Sequence, residues 1–350
     1  MIGLEILKNR IKDAPQCSGV YLFKNKKDNP IYIGKAINIK RRLSNYGNLP
    51  KLPRRLQKMV SQTVNIDFEL TESERNALLL EALLIKKFSP RYNIRLKDDK
   101  SFPLIKITKG DFPRLTRFRN EFSNEDKVFG PFTSALKTDK VIKILQKSFK
   151  LRSCSDLEFK NRKRACLLYD LKQCSAPCVN KVSQNEYKNQ VDDTVKFFQG
   201  GQKKIFDKLE KQMVYFSESQ NYEKAAELRD SIQSLNFIIR EEVKISTQDT
   251  NYDYIHIDDK KHFSIYIGFI RYGRYLGGNL IYYSEKFEDD IDLTSLIIQF
   301  YLKNFRPNKI IISKKINGYY ELKSIMRDNY KIDVFIKSSK INGVQKLSLI

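Results

Sequence analysis

Glu81 lies in the run Ala77-Leu78-Leu79-Leu80-Glu81-Ala82-Leu83-Leu84-Ile85, a helix apolar nearly all round and therefore buried. An ionised acid in such surroundings costs several kcal/mol unless it is paired or bound to a cation, so it is either half of a structural ion pair or a metal ligand. The helix alone does not choose between them. Upstream, Gly19-Val20-Tyr21 and Tyr32-Ile33-Gly34 each carry a tyrosine, Lys35 follows directly, and Arg42 comes ten residues after Tyr32. Tyrosines on neighbouring strands are commonly hairpin packing; their company of two cations and one carboxylate makes these two candidates for chemistry. A second group is Cys154, Cys166, Cys174 and Cys178, separated by eleven, seven and three residues. Four thiols in one short segment suggest one site. Structural zinc usually takes close pairs at both ends, and only the second pair here is close, whereas an iron–sulfur cluster accepts looser spacing. The fifth cysteine, Cys17, reads as a small buried residue.

These side chains need elements to hold them. "GVYLFKN", a turn at "KKDNP" and "IYIGK" predict a hairpin. Asn38 caps a helix through "IKRRLSNYG", "VNIDFEL" is a third strand, and "SERNALLLEALLIKKF" is a helix ending ahead of Pro90. The sum is a small α/β module over residues 1–96. Residues 97–200 form a basic connector carrying the cysteine cluster, with turn signals at "GDFP" and "FGPF". Residues 201–240 have helical periodicity broken at "SESQN", a helical hairpin with Leu209, Met213 and Phe216 on one helix and Ala225, Ala226, Leu228, Ile232 and Leu235 on the next. So small a hairpin cannot bury all its apolar surface, and the remainder invites an equivalent hairpin from a partner. From Tyr252 the pattern runs βββαβαβ, the order of a ribonuclease H-like layer, over residues 241–350. The fold class is multidomain α/β.

Composition narrows the function. The chain of 350 residues exceeds a usual single domain, and 65 Lys plus Arg against 41 Asp plus Glu give a formal charge of +24, which attracts a polyanion by counterion release. Nucleic acid is the leading partner. No apolar run approaches the ~20 residues needed to span a bilayer, and "MIGLEILKNRIKDAP" is too charged for a signal segment, so the expected place is the cytoplasm with no membrane contact. Two histidines, His256 and His262, are too few and too close for histidine-based hydrolysis and read as ordinary strand residues.

In order and spacing, Gly-Val-Tyr, Tyr-Ile-Gly-Lys-Ala, Arg42, Glu81 and "SPRYNIRLKDDKS" from Ser89 resemble the GIY-YIG nuclease domain, and more narrowly the UvrC family of the bacterial UvrABC excinuclease. One departure is Ser18 where the family usually has proline before Gly-Val-Tyr. The resemblance implies a DNA repair endonuclease of nucleotide excision repair and the SOS response, which makes the incision on the 3′ side of a lesion with one Mg²⁺ or Mn²⁺ on Glu81. The chemistry is compatible: phosphodiester hydrolysis needs an activated water, a cation against the developing charge and stabilisation of the leaving oxygen. Tyr32 would be the base or water-orienting group. A free phenol with a pKa near ~10 is ionised about one part in a thousand at neutral pH, so Lys35 and the metal are the expected sources of positive potential, and Tyr21 could share the proton network. Which tyrosine is the base stays open. Arg42 fits a clamp on the scissile phosphate, and Asn93 is expected to orient Tyr32 or phosphate. Arg41, Lys35, Arg91 and Arg95 are expected to contact DNA.

For the cysteine segment the resemblance implies a [4Fe-4S] cluster on Cys154, Cys166, Cys174 and Cys178, with zinc as the alternative. The hairpin resembles the UVR motif, which implies that UvrB binds through Tyr222 at the tip and through Ala225, Ala226 and Arg229. Lesion-containing double-stranded DNA is the implied substrate, and the free chain is expected to be a monomer. The family carries a second, Asp-Asp-His site in its ribonuclease H-like domain and helix-hairpin-helix motifs beyond it. This chain stops at "NGVQKLSLI", and Asp253, Asp258 and Asp259 cluster near one strand end without forming a triad. The C-terminal domain is therefore expected to be catalytically silent and truncated, with no 5′ incision. The alternatives are a solitary GIY-YIG nuclease outside UvrABC and a nonenzymatic adaptor for UvrB and DNA.

Overall fold

The computed structural model describes residues 2–93, 102–119, 127–240, 243–244, 251–258, 264–282 and 292–337. Arg95, Asp259 and His262 lie outside the described residues. The described residues divide into two units: 2–93, 257–258, 264–265, 281–282 and 292–337 in the first, and 102–119, 127–240, 243–244, 251–256 and 266–280 in the second.

In the first unit α1 (Ile2–Asp13) precedes β1 (Gly19–Lys24) and β2 (Pro30–Ala36). The predicted turn between the strands is present: Asn25 Oδ1 accepts from the Lys27 and Asn29 amides, and Asp28 adopts the left-handed conformation at φ 59°. There follow α2 (Ile39–Tyr46), α3 (Arg54–Gln62), β3 (Asn65–Leu70) and α4 (Glu74–Phe88). The expected cap at Asn38 forms, and Ser73 caps α4 as well. The Arg41 amide donates to Asn38 at 2.9 Å, the Ser73 hydroxyl accepts from the Asn76 amide, and α4 ends on Ser89 in the left-handed region just before Pro90.

The three strands pair antiparallel in the order β2-β1-β3. Strand alternation sorts the two faces. Val20, Leu22 and Ile33 pack with Ala77, Leu84 and Ile85 of α4, while Tyr21, Phe23 and Tyr32 turn into a layer built by Leu7, Ile39, Leu43, Tyr46, Leu56, Met59 and Val60.

The second unit opens with β4 (Leu104–Ile107), β5 (Leu115–Phe118) and β6 (Val128–Phe129), sheet order β5-β4-β6, followed by α5 (Ala135–Ser148). The short helices α6 (Asp156–Asn161) and α7 (Leu167–Asp170) carry the cysteine segment. Next come α8 (Gln184–Phe198) and the expected hairpin, α9 (Gln202–Glu218) and α10 (Tyr222–Arg240). Leu235 and Ile238 of α10 enter one core with Leu145 of α5 and Tyr187 and Val191 of α8.

The remaining elements are β7 (Val243–Lys244), β8 (Tyr252–Asp258), β9 (Ser264–Arg271), β10 (Arg274–Tyr282), α11 (Leu293–Tyr301), β11 (Lys309–Ile312), α12 (Tyr319–Tyr330) and β12 (Asp333–Ile336). From β8 onward the element order is the expected one. The strands pair in the order β12-β11-β8-β9-β10-β7, with β11 and β12 parallel.

Candidate active site

Glu81, buried at 6% exposure, meets the outer edge of β2. Its Oε1 accepts the Lys35 amide at 3.0 Å, and its Oε2 is buried with no hydrogen-bond partner among the described residues. The Ser295 hydroxyl favours the charged form without closing a hydrogen bond of ordinary geometry, so Oε2 is the open coordination position of the site. Burial, and then the negative charge of Asp292, push the Glu81 carboxyl up to about 7 against the pull of Ser295 and Lys35. A buried oxygen with no partner, on an acid whose ionised form is short of compensation, is what a divalent cation would satisfy. The residues present fit the ion.

Lys35 is committed elsewhere than the sequence suggested. Its ammonium pairs with Glu74 at 3.2 Å and with Asp292 at 3.3 Å; burial opposes the charge, but Asp292, Glu74 and Glu81 outweigh it and hold the lysine pKa above its ordinary value. The cation on the phenols is Arg42, whose Nε donates to the Tyr21 hydroxyl at 3.5 Å and whose guanidinium lies 5.7 Å from the Tyr46 ring centre.

The phenols form a line. The Tyr46 hydroxyl donates to Tyr32 at 3.2 Å and lies 2.9 Å from the Tyr21 hydroxyl. Each hydroxyl has one proton to give. With the Tyr46 proton on Tyr32 and the Arg42 N–H on Tyr21, the Tyr21 proton points to Tyr46, and the chain runs Arg42, Tyr21, Tyr46, Tyr32. Burial, then Tyr46, raise the Tyr21 pKa well above its ordinary value, and Arg42 offsets this only in part. Tyr21 is therefore a neutral link, and the line ends in the hydrogen bond that Tyr46 donates to Tyr32.

Packing fixes this line. Tyr21 stands opposite Gly34 in the sheet, where a Cβ would come 2.3 Å from the Tyr21 hydroxyl, so only glycine leaves room for the ring. Asn93 accepts the Ile33 amide on Oδ1 at 2.8 Å and donates through Nδ2 to the Ile33 carbonyl at 2.6 Å, while the Tyr92 amide donates to the Ile31 carbonyl at 2.9 Å. Asn93 thus holds the backbone next to Tyr32 rather than the phenol itself.

A cavity of about 560 Å³ gathers Tyr21, Tyr32, Lys35, Arg41, Arg42, Glu81 and Asn93. Tyr46, Glu74, Arg55 and Asp292 were not anticipated. Glu74, Arg55 and Asp292 also line this cavity, and the Arg55 guanidinium donates to the Tyr92 carbonyl. Asp292 caps α11, accepting from the Thr294 and Ser295 amides, and also reaches Lys35. Tyr46 carries a weak signal as the last residue of a capped helix; Asp292 carries none, being joined to the site only by the fold. Arg91 is exposed and lies against Tyr92.

Cys17 is exposed, correcting the buried reading: it sits in the bend before β1, outside the sheet's packed face. Cys154, Cys166, Cys174 and Cys178 are unbridged and line one cavity of about 220 Å³ with Arg152, Glu158, Phe159 and Arg162. Among the described residues no group of three or more His, Cys, Asp or Glu is placed to hold one ion. Burial raises the Cys174 and Cys178 thiols, and the neighbouring cysteines add to this.

On the hairpin, Tyr222 is 66% exposed, Ala225 and Ala226 are half-buried, and Arg229 pairs with Asp230 at 2.9 Å. Lys172, from the cysteine segment, pairs with Glu223 and, at 2.9 Å, with Glu227. In the C-terminal part Asp253 is fully buried against Arg271 at 2.7 Å, and it lies at the opposite end of β8 from Asp258 rather than clustered with it.

Three protein families match in succession: the UvrC-like GIY-YIG domain over residues 17–94, the UvrC/Cho excinuclease middle domain over 102–197 and the UvrB/uvrC motif over 203–236. The chain belongs to the UvrC family. UvrABC system protein C of Rickettsia felis is 38% identical over 355 residues, covering 99% of this chain and 53% of that protein, and the Rickettsia bellii protein is 38% identical over 349 residues, covering 97% and 54%. The chain thus spans about half the length of the UvrC relatives it matches. The GIY-YIG N-terminal endonuclease domain of UvrC from Thermotoga maritima, solved bound to its catalytic magnesium, is 39% identical over 25% of this chain and 96% of that domain, with a TM-score of 0.24. Among the described residues no helix is long and apolar enough to cross a membrane.

Proposed function

We propose that this chain is the nuclease of nucleotide excision repair that makes the 3′ incision near a lesion in double-stranded DNA. The observation that carries this is the Glu81 Oε2 atom, buried without a partner among the described residues in a cavity lined by Tyr32, Arg41 and Arg42. One Mg²⁺ or Mn²⁺ on that oxygen would supply Lewis-acid charge against the phosphoryl oxygens. The protein's own groups do the rest. Arg42 offers its fork to the scissile phosphate, and Arg41, Arg91 and Arg95 contact the backbone, while Lys35 stays paired with Glu74 and Asp292. Tyr32 takes the proton of the attacking water: the line of donors behind it stabilises its phenolate, the form able to accept a proton. The water oxygen bonds to phosphorus as the P–O bond to the leaving sugar oxygen breaks.

The surrounding modules follow the same reading: a nuclease domain over 1–96, a connector over 97–200, a UVR hairpin over 201–240 and a ribonuclease H-like domain over 241–350 that we read as catalytically silent. The exposed Tyr222, with Ala225, Ala226 and Arg229, supports docking of UvrB on the hairpin. The four cysteines support a [4Fe-4S] cluster over zinc, because a cluster's own irons and sulfides span gaps that a single ion cannot. We assign the protein to the cytoplasm, as a monomer when free.

The test is incision of a lesion-bearing duplex by the purified chain with UvrA and UvrB. A 3′ nick that disappears in Glu81→Ala is the expected result; an undiminished nick in that variant would refute the assignment.

A further inference from the structure

Two guanidinium groups line the cavity of the four cysteines, and they differ in what they are free to do. Arg152 is 4% exposed and fully engaged. Its Nε donates to the Phe112 carbonyl, Nη1 to the Cys154 carbonyl and Nη2 to Asp156, and its plane lies 4.7 Å from the Phe159 ring centre. Arg162 is half-buried, and its Nε is buried with no hydrogen-bond partner among the described residues.

The local fold explains how Arg162 reaches that place. Ser155 and Glu158 close a capping box on α6, which spends the Glu158 carboxylate on the Ser155 amide and hydroxyl. The helix then stops at Arg162, whose extended backbone (φ −77°, ψ 128°) carries the chain on toward Cys166. Among the described residues Arg162 closes no ion pair; its charge is felt by Glu158 and, inside the cavity, by Cys178. A buried N–H without an acceptor is costly, and the acceptors missing here match the sulfur atoms of an occupied site.

We infer that Arg162 is the positioning residue that offsets the negative charge of a four-thiolate iron–sulfur cluster and donates its Nε–H to one of the cluster's sulfurs. The inference rests on the cluster reading given above. A cluster held by four thiolates is anionic and gains a further negative charge when one electron is added. A fixed cation and a donor at its edge favour the reduced state, and removing them lowers the potential.

The test uses the full chain, purified and reconstituted without oxygen with ferrous iron and sulfide, in wild type, Arg162→Gln and Arg162→Lys. Iron and sulfide are assayed, and the cluster is titrated with dithionite as one-electron donor, followed by its visible absorption and electron paramagnetic resonance. Arg162→Gln should retain the wild-type iron while its reduced-to-oxidised ratio at a fixed potential falls by about tenfold, a shift of ~59 mV for one electron. Arg162→Lys, which keeps the charge, should stay near wild type. Full iron and an unchanged potential in Arg162→Gln would overturn the inference while leaving the cluster intact. Should Arg162→Gln lose its iron and Arg162→Lys keep it, the charge requirement stands; loss from both, with the fold preserved by circular dichroism, would overturn it. A wild-type chain that takes up one zinc and no iron would instead overturn the cluster reading itself.

Discussion

The Tyr46 hydroxyl lies 2.9 Å from that of Tyr21 and 3.2 Å from that of Tyr32, joining the two phenols. If this line of donors stabilises the Tyr32 phenolate, Tyr32→Phe should lower the 3′ nicking rate by about 10²–10⁴. Tyr46→Phe, which costs one donated hydrogen bond, should lower it by about tenfold. The double variant should be no slower than Tyr32→Phe, because both act on one group. Single-turnover nicking of a lesion duplex in the presence of UvrA and UvrB measures all three, and additive losses would exclude the relay.

Glu81 should show an opposition between stability and activity. Its carboxyl is raised from an ordinary 4.5 to about 7, so between these values the folded chain binds more protons than the unfolded one. Without metal, stability therefore falls as pH rises from about 4.5 to about 7, by on the order of 3 kcal/mol. Glu81→Gln removes the penalty. Its thermal midpoint at pH 8 in chelator should exceed that of wild type, while nicking is lost; a lower midpoint would contradict the unbalanced charge.

Asp292 is the charge that, after burial, most raises the Glu81 carboxyl. Asp292→Asn should lower that pKa and move the acidic limb of the pH–rate profile toward lower pH. A limb that stays in place would show that Asp292 exerts no field at the site.

Gly34→Ala should fail through geometry. The added Cβ meets the Tyr21 hydroxyl at 2.3 Å and its ring carbon at 2.5 Å, and both neighbouring faces are packed. A loss of about 1–3 kcal/mol in chemical denaturation is expected, together with weaker nicking. An alanine variant as stable as wild type would mean that the ring is free to move.

The strands of the two tyrosines, the cap at Asn38, the helix of Glu81 and the hairpin from 201 to 240 were legible because each rests on local periodicity or a local cap. Helix α1 was not, since "IGLEILKNRIKD" reads first as a segment too charged for a signal peptide. The partners of Lys35 could not be read either. Glu74 and Asp292 stand 39 and 257 positions away, and only the tertiary fold brings them to the ammonium. Asn93 illustrates the same limit: its residue type suggested an orienting group, but that it grips the Ile33 backbone follows from where the chain turns after α4.

That grip has a consequence beyond the site. Four backbone groups on the outer margin of β2, the Ile31 carbonyl, both polar groups of Ile33 and the Lys35 amide, are taken up by Tyr92, Asn93 and Glu81. A margin occupied in this way offers little to a foreign strand, so the sheet resists growing by addition of another chain at its β2 edge. The carboxylate that would anchor the ion also guards the solubility of the domain around it.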